Sequence, residues 1–254
     1  MSRSISPPIK ALTILECFTA KQPRLTLSEI QRRARMPKTT VFRFLKALTD
    51  NNYLKYEPYR KQYSLGPRVL LLGFTVLQNM EAREIARPYL ESLSREFNRS
   101  TSFLIRDKTE MVYVERIRVP ALRDFNISIG SRISVHNTAA GRSVLAYMEE
   151  DKLKDIVGQL ALDSGISRSI GKNGSKLLQL LTRVRKQGYA INDQESVRGV
   201  RAIAVPVFSA ADSDYAISLV VPPEEVAVEE LRTRYAPILT ELGRELSEAL
   251  GHTD

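Results

Sequence analysis

The sequence predicts an α+β protein of two domains. Three observations lead there. A helix–turn–helix pattern followed by a hairpin pattern fills residues 5–65. Hydrophobic periodicity switches from helical to alternating near residue 100. Charge is segregated: residues 1–73 hold 14 Lys and Arg against 4 Asp and Glu, and residues 74–254 hold 24 against 25. The whole excess behind the formal charge of +9 therefore lies in the first third of the chain. That is the distribution of a phosphate-binding head on a body that does not bind nucleic acid. The expected division is a winged helix-turn-helix domain over 5–65, a linker helix over 66–80, and a domain over 81–254 with an antiparallel sheet and packed helices.

Residues 1–8 are polar and end in Pro-Pro, which predicts an arm. Ile9 to Thr19 reads as a helix with Ala11, Leu12, Leu15 and Phe18 on one face. Thr26 is a good N-cap, and Glu29 three residues later completes a capping-box pattern. Leu27, Ile30 and Ala34 line one face of the helix that follows. Arg35-Met36-Pro37 is long enough only for a turn, and Pro37 suits the first position of a new helix. In that second helix Val41, Phe44, Leu45 and Leu48 share a narrow arc at about 100° per residue, with Thr39, Arg43 and Lys46 opposite. A helix with an apolar back and a Thr/Arg/Lys front is the one that a helix-turn-helix sets in the DNA major groove. Two amphipathic helices joined by a turn are also common in any helical domain, and the flanking residues decide between the readings. Tyr53, Leu54 and Tyr56, then Tyr63 and Leu65, form strand patterns around the polar connection 57–62. This is a wing with Arg60 and Lys61 at its tip, suited to phosphate or minor-groove contacts. The expected DNA-binding residues are Lys38, Thr39, Thr40, Arg43, Lys46, Arg60 and Lys61. Lys38 and Lys46 would touch phosphate, and Thr39 and Thr40 phosphate or a thymine methyl. Arg32, Arg33 and Arg35 are expected at the solvated surface.

Gly66-Pro67 starts a helix whose Val69, Leu70, Leu72, Val76, Leu77 and Met80 cover much of its circumference. It packs either on a second chain or within its own body domain; a twofold dimer reading a palindromic site favours the first. Glu81–Asn98 is helical, with Pro88 kinking or restarting it. Residues 101–107, 110–119 and 125–130 alternate as three strands, the first two joined at Lys108-Thr109. Helices are expected at Ala139–Met148, Asp151–Gln159 and Ser175–Lys186, with a polar loop over Ser164–Asn173. Residues 202–209 and 215–221 are two further strands around a turn at 210–214. Leu231 to Leu250 closes the chain as a helix.

Cys17 is the one cysteine, so an intrachain disulfide and a multi-Cys metal site are excluded; a small buried hydrophobe is expected there. No run of about 18 apolar residues is present, and the N-terminus lacks an apolar signal core. A cytoplasmic protein without a membrane partner is expected. His136 invites a metal reading, but His252 is the only other histidine, so neither metal nor cofactor is expected. No nucleophile elbow, P-loop or GxGxxG appears, so an enzyme is not expected.

Two blocks in the second half carry a resemblance: IGSRISVHNTAAGRSVLA over 129–146 and GYAINDQESVRGVRAIAVPVF over 188–208. With the winged head and linker helix before them, the chain resembles the IclR family of bacterial transcription regulators along nearly its whole length. Glu195, Gly199, Ile203, Ala204 and Pro206 match its signature. The resemblance implies a GAF-like C-terminal domain for effector binding and oligomerisation. It also implies homodimers or dimers of dimers, double-stranded operators with palindromic or repeated half-sites, and contact with RNA polymerase. A small organic acid would be the effector, and the wording of the first block is similar to members governing aromatic-acid breakdown.

The family's effector positions map onto Ala139, Ala140, Gly141, Asn192, Ala202 and Ser218. Backbone N–H groups at a helix start favour an anion, which agrees with the first three. Asn192 stands where the family often has an acid, Ala202 where it often has Cys, and Val220 where a second hydroxyl is usual. Each departure makes the pocket less polar and points to an aromatic or larger acid. Glu195 and Asp193 could pair as acid and base, but the resemblance makes them loop-structuring or pocket residues. Arg106, Arg116 and Arg118 lie on strands, where they neutralise an acidic ligand or face solvent. The alternatives to a ligand-controlled regulator are an architectural DNA-binding protein or an enzyme with a DNA-binding head.

Overall fold

The computed structural model describes residues 6–119, 127–210 and 214–253. It divides into two compact units, Met1–Asn79 and Met80–Asp254.

The first unit opens with α1 (Pro7–Glu16), which begins inside the expected arm because Pro suits the first helical turn; residues 1–5 lie outside the described set. Its buried face is Ile14, continued by Cys17 and Phe18, while Leu12 is exposed. The face expected from Leu12 was therefore offset. Next come β1 (Arg24–Thr26), α2 (Leu27–Ala34), α3 (Lys38–Asp50), β2 (Leu54–Glu57), β3 (Gln62–Leu65) and α4 (Pro67–Gln78). β1 was not expected; it pairs antiparallel with β3, giving the sheet order β1-β3-β2. The capping box at Thr26 is formed: its N–H donates to Glu29 Oε2 at 2.7 Å, and its Oγ1 accepts from the Glu29 N–H at 3.4 Å. The bond from the Thr26 N–H, with a second from Thr26 Oγ1 at 2.8 Å, holds the pKa of the Glu29 carboxyl below its ordinary value. Arg35 takes a left-handed conformation to make the tight turn, and Pro37 sits at the N-cap of α3 rather than inside it. Ile14, Leu25, Ile30, Val41, Leu45 and Leu54 form the core of this unit. Gly66 is required where it lies, because a Cβ there would stand 2.2 Å from the Asn52 carbonyl oxygen.

The second unit contains α5 (Glu81–Phe97), which runs unbroken through Pro88. Then follow β4 (Thr101–Asp107), β5 (Glu110–Ile117), β6 (Arg132–Ser134), α6 (Ala139–Leu145), α7 (Glu150–Ala161), α8 (Ser164–Ile170) and α9 (Ser175–Gln187). β7 (Ala190–Asp193), β8 (Arg201–Val207), β9 (Tyr215–Val221), α10 (Val228–Glu230) and α11 (Ala236–Ala249) complete it. The sheet is antiparallel with order β6-β5-β4-β9-β8-β7. α5 packs on β4 and β5, α11 packs on β8 and β9, and the two helices also touch each other; Phe97 and Tyr235 stack at 4.1 Å. α6 packs on β7, β8 and β9, and its seven residues are all buried.

Three sequence expectations for this unit change. The third strand is Arg132–Ser134, whereas 127–128 are irregular, 129–130 are turn, and 125–126 lie outside the described residues. The expected loop at Ser164–Asn173 holds α8, because the Asp163 carboxylate accepts from the N–H groups of Gly165 and Ile166 and Ile170 is buried. β7 was not expected; its alternation is short and ends in a charged turn. Of the expected 210–214 turn, residues 211–213 lie outside the described set.

Candidate functional sites: a basic helix–wing surface and an apolar cavity

α3 turns Val41, Leu45 and Leu48 into the core of the first unit. Its opposite face carries Lys38, Thr39, Arg43 and Lys46, all exposed, with Thr40 half-buried at the edge. Phe42 lies on that face too and is 56% exposed. The sequence contained the signal, since position 42 falls next to Lys46 on a helical wheel, away from the Val41–Leu45–Leu48 stripe, but an aromatic residue is easily assigned to the core. Arg60 and Lys61 are exposed at the turn between β2 and β3, with Tyr59 beside them 98% exposed. The hairpin is held by its ladder and by the Tyr56–Tyr63 ring pair at 4.7 Å. Arg33 does more than face solvent: its Nη1 donates to the Cys17 carbonyl at 2.7 Å, tying α2 to the end of α1. Cys17 is buried, and burial raises its thiol pKa.

In the second unit a cavity of about 250 Å³ lies over β4, β5, β7, β8 and β9. Its walls include Ala139, Ala140, Asn192, Ala202 and Ser218, which are five of the six expected effector positions. Ile127, Ile133, Val197, Val200 and Val220 supply apolar wall, and Ser102, Tyr113 and Arg116 supply polar groups that the sequence did not single out as a set. Gly141 is absent from the wall. A Cβ on Gly141 would stand 2.2 Å from Val135 Cα, so Gly141 lets α6 begin against the preceding strand. Its N–H is taken by Thr138 Oγ1 at 3.3 Å, and that of Arg142 by the Thr138 carbonyl.

Asn192 faces the cavity, but its amide binds the wall together. Nδ2 donates to the Asn137 carbonyl at 2.5 Å, and Oδ1 accepts from Ser196 Oγ at 3.3 Å. The loop that follows is pinned at Glu195, whose carboxylate takes two hydrogen bonds from buried Arg142 at 2.7 and 2.6 Å. Arg142 Nε also donates to the His136 carbonyl. Asp193 is held by Arg201 at 2.8 Å. Glu195 and Asp193 are thus each paired with an arginine and structure the loop. His136 is buried beside Ser134 Oγ at 2.6 Å, and burial, then the Arg142 charge, lowers its pKa. Among the described residues no group of three His, Cys, Asp or Glu is placed to hold a metal, and no helix is long and apolar enough to cross a membrane.

The three strand arginines separate clearly. Arg106 makes a two-point pair with Asp214 at 2.9 and 2.6 Å. Arg118 is exposed. Arg116 lines the cavity, where burial lowers the pKa of its guanidinium. Burial likewise raises the Tyr113 phenol.

Comparison with known proteins agrees with both halves. The IclR helix-turn-helix domain model matches residues 8–58, and the bacterial transcriptional regulator IclR C-terminal model matches 74–248. The Pca regulon regulatory protein of Pseudomonas putida is 29% identical over 95% of this chain and 82% of its own length. The HTH-type transcriptional regulator KdgR of Escherichia coli is 30% identical over 99% and 95%. An IclR family regulator from Brucella abortus superposes with a TM-score of 0.87 at 25% identity, covering 97% of this chain and 93% of that one. An IclR homologue from Microbacterium hydrocarbonoxydans, solved with 4-hydroxybenzoate, gives 0.73 at 22% identity, covering 98% and 100%. The chain belongs to the IclR family of DNA-binding transcription regulators.

Proposed function

We propose that this regulator binds a double-stranded operator through α3 and the wing, and that a small organic acid in the cavity of the second unit controls that binding. Lys38, Thr39, Thr40, Arg43, Lys46, Arg60 and Lys61 are the DNA-facing residues, joined by Phe42 as an apolar contact for a thymine methyl. The observation that carries the effector reading is the cavity itself: Ala139, Ala140, Asn192, Ala202 and Ser218, distant in sequence, share its wall. Gly141 shapes this wall from behind.

Size and polarity favour an aromatic or similarly bulky acid. A cavity of about 150 Å³ holds a benzene ring, so about 250 Å³ accommodates a ring with its substituents. An acid of two or three carbons would leave much of an apolar wall uncovered. The homologue solved with 4-hydroxybenzoate makes that compound a natural first probe. The exposed apolar side chains of α4 support a homodimer or a dimer of dimers as the working form, which would set two α3 helices on repeated half-sites. The protein acts in the cytoplasm, as a binding protein rather than an enzyme, and RNA polymerase is a further partner.

A thermal-shift screen of the purified chain against aromatic and aliphatic carboxylic acids tests this reading. Hits would be carried into a binding assay with an operator selected from random duplexes. The expected result is stabilisation by ring-sized acids, altered operator affinity, and recovery of the acid unchanged. Tight binding of a two- or three-carbon acid, with none of benzoate-like compounds, would overturn the size argument. Conversion of the acid to a product would overturn the regulator mechanism.

A further inference from the structure

We propose that Arg116 is the anion-binding residue of the cavity, and that its ligand carries one carboxylate on an uncharged, apolar body. This rests on the reading that the cavity takes an organic acid, and adds to it a residue and a charge.

Three facts point to Arg116. First, it is the only charged side chain among the described residues of the cavity wall. A guanidinium partly withdrawn from water gains from a counter-charge, and this wall provides none. Second, its hydrogen bonding is incomplete. Nη1 donates to the Ile127 carbonyl at 3.1 Å, and Nε is buried with no partner among the described residues. Other arginines on these strands differ: Arg106 is paired with Asp214, Arg132 with Asp107 and Glu110, and Arg201 with Asp193, all within 2.9 Å. Third, Arg116 stands in a row of donors. It is opposite Ser102 in the β4–β5 ladder, and Ser102 is opposite Ser218 in the β4–β9 ladder. Directly opposed residues bring their Cβ atoms to about 5 Å. Both serines are buried and line the cavity.

A guanidinium beside two hydroxyls is a carboxylate site. With Nη1 occupied, the edge made by Nε and Nη2 presents two parallel N–H groups, the fork that grips a carboxylate at two points. The hydroxyls then donate to the same oxygens from the neighbouring strands. The charge count sets the class: one cation in the wall balances one carboxylate, and a dicarboxylate would press its second charge against Ile133, Val197 or Val220. The sixth carried-over position, Gly141, contributes no N–H to this site.

The test is calorimetry on the full chain with three acids, benzoate, 4-hydroxybenzoate and cyclohexanecarboxylate, each beside its primary amide, and with terephthalate as a dianion. The wild type should bind at least one monoacid tenfold or more tighter than its amide, and terephthalate more weakly. Arg116→Gln should weaken that acid at least tenfold while leaving the amide within threefold. Arg116→Lys, which keeps the charge but loses the fork, should fall between. If Arg116→Gln is unfolded, the acid-to-amide ratio of Arg116→Lys decides. A residue that only supports Ile127 would lower the melting temperature of both variants and leave the ratio unchanged, which overturns the proposal. A preference for the acid that survives in Arg116→Gln overturns the Arg116 assignment alone. A wild type that binds none of the seven compounds overturns both the acid reading and this one.

Discussion

Arg43 is exposed on the outer face of α3, which carries Thr39 and Lys46, one residue from exposed Phe42, and is the residue proposed to read a base. Replacing Arg43 with Ala should cost about 1–3 kcal/mol of operator affinity and relax specificity at one base pair. A titration against single-base operator variants separates this from loss of a phosphate contact, which weakens all sequences alike. Unchanged affinity would remove Arg43 from the interface. In the second unit, Gly141 and Arg142 show how adjacent residues divide the labour of building a cavity. The absent Cβ of Gly141 sets the distance between α6 and Val135. Arg142 ties the Glu195 loop to the same helix. Neither reaches the cavity, and both fix residues that do.

At the scale of an element, α4 is the anomaly. Leu70 is 71% exposed, Leu71 65%, Phe74 54% and Val76 59%, and no residue of the helix is buried. Burial of apolar surface yields about 25 cal/mol per Å², so a run of this kind is stabilised by a partner surface. Leu71→Asp with Phe74→Asp should convert a dimer to a monomer in sedimentation at micromolar concentration. Operator affinity should drop more than tenfold, because two half-sites are no longer engaged by one particle. A dimer that survives both substitutions would assign association to the second unit. α6 is the opposite case: a helix of seven residues, all buried, whose position is set by its packing rather than by an amphipathic pattern.

At the scale of the whole molecule, regulation is a coupling free energy between two sites, and it is reciprocal. If the acid changes operator affinity by some factor, within the usual range of about 5- to 150-fold, saturating operator must change acid affinity by the same factor. Calorimetry of the acid with and without operator duplex checks this. A moved operator affinity with an unmoved acid affinity would place the effect outside a two-site linkage, for instance in a shift of oligomeric state.

The sequence by itself determined the elements whose signals are local. The Thr26–Glu29 capping box, the stripe of Val41, Leu45 and Leu48, the alternation of 101–107 and the stop at Gly188 need only neighbours within one turn or one pleat. Charge counting alone marked the basic head. The tertiary structure decided what depends on partners far away in the chain. β1 and β7 are strands because β3 and β8 lie beside them, and α8 is a helix because Asp163 caps it and Ile170 finds a core. Arg106 and Arg116 read alike in sequence, but a carboxylate at position 214 reaches the first guanidinium, and among the described residues Nε of the second has no partner. Their difference lies in which strands adjoin, and strand order follows from the packing of the whole sheet rather than from the residues next to each arginine.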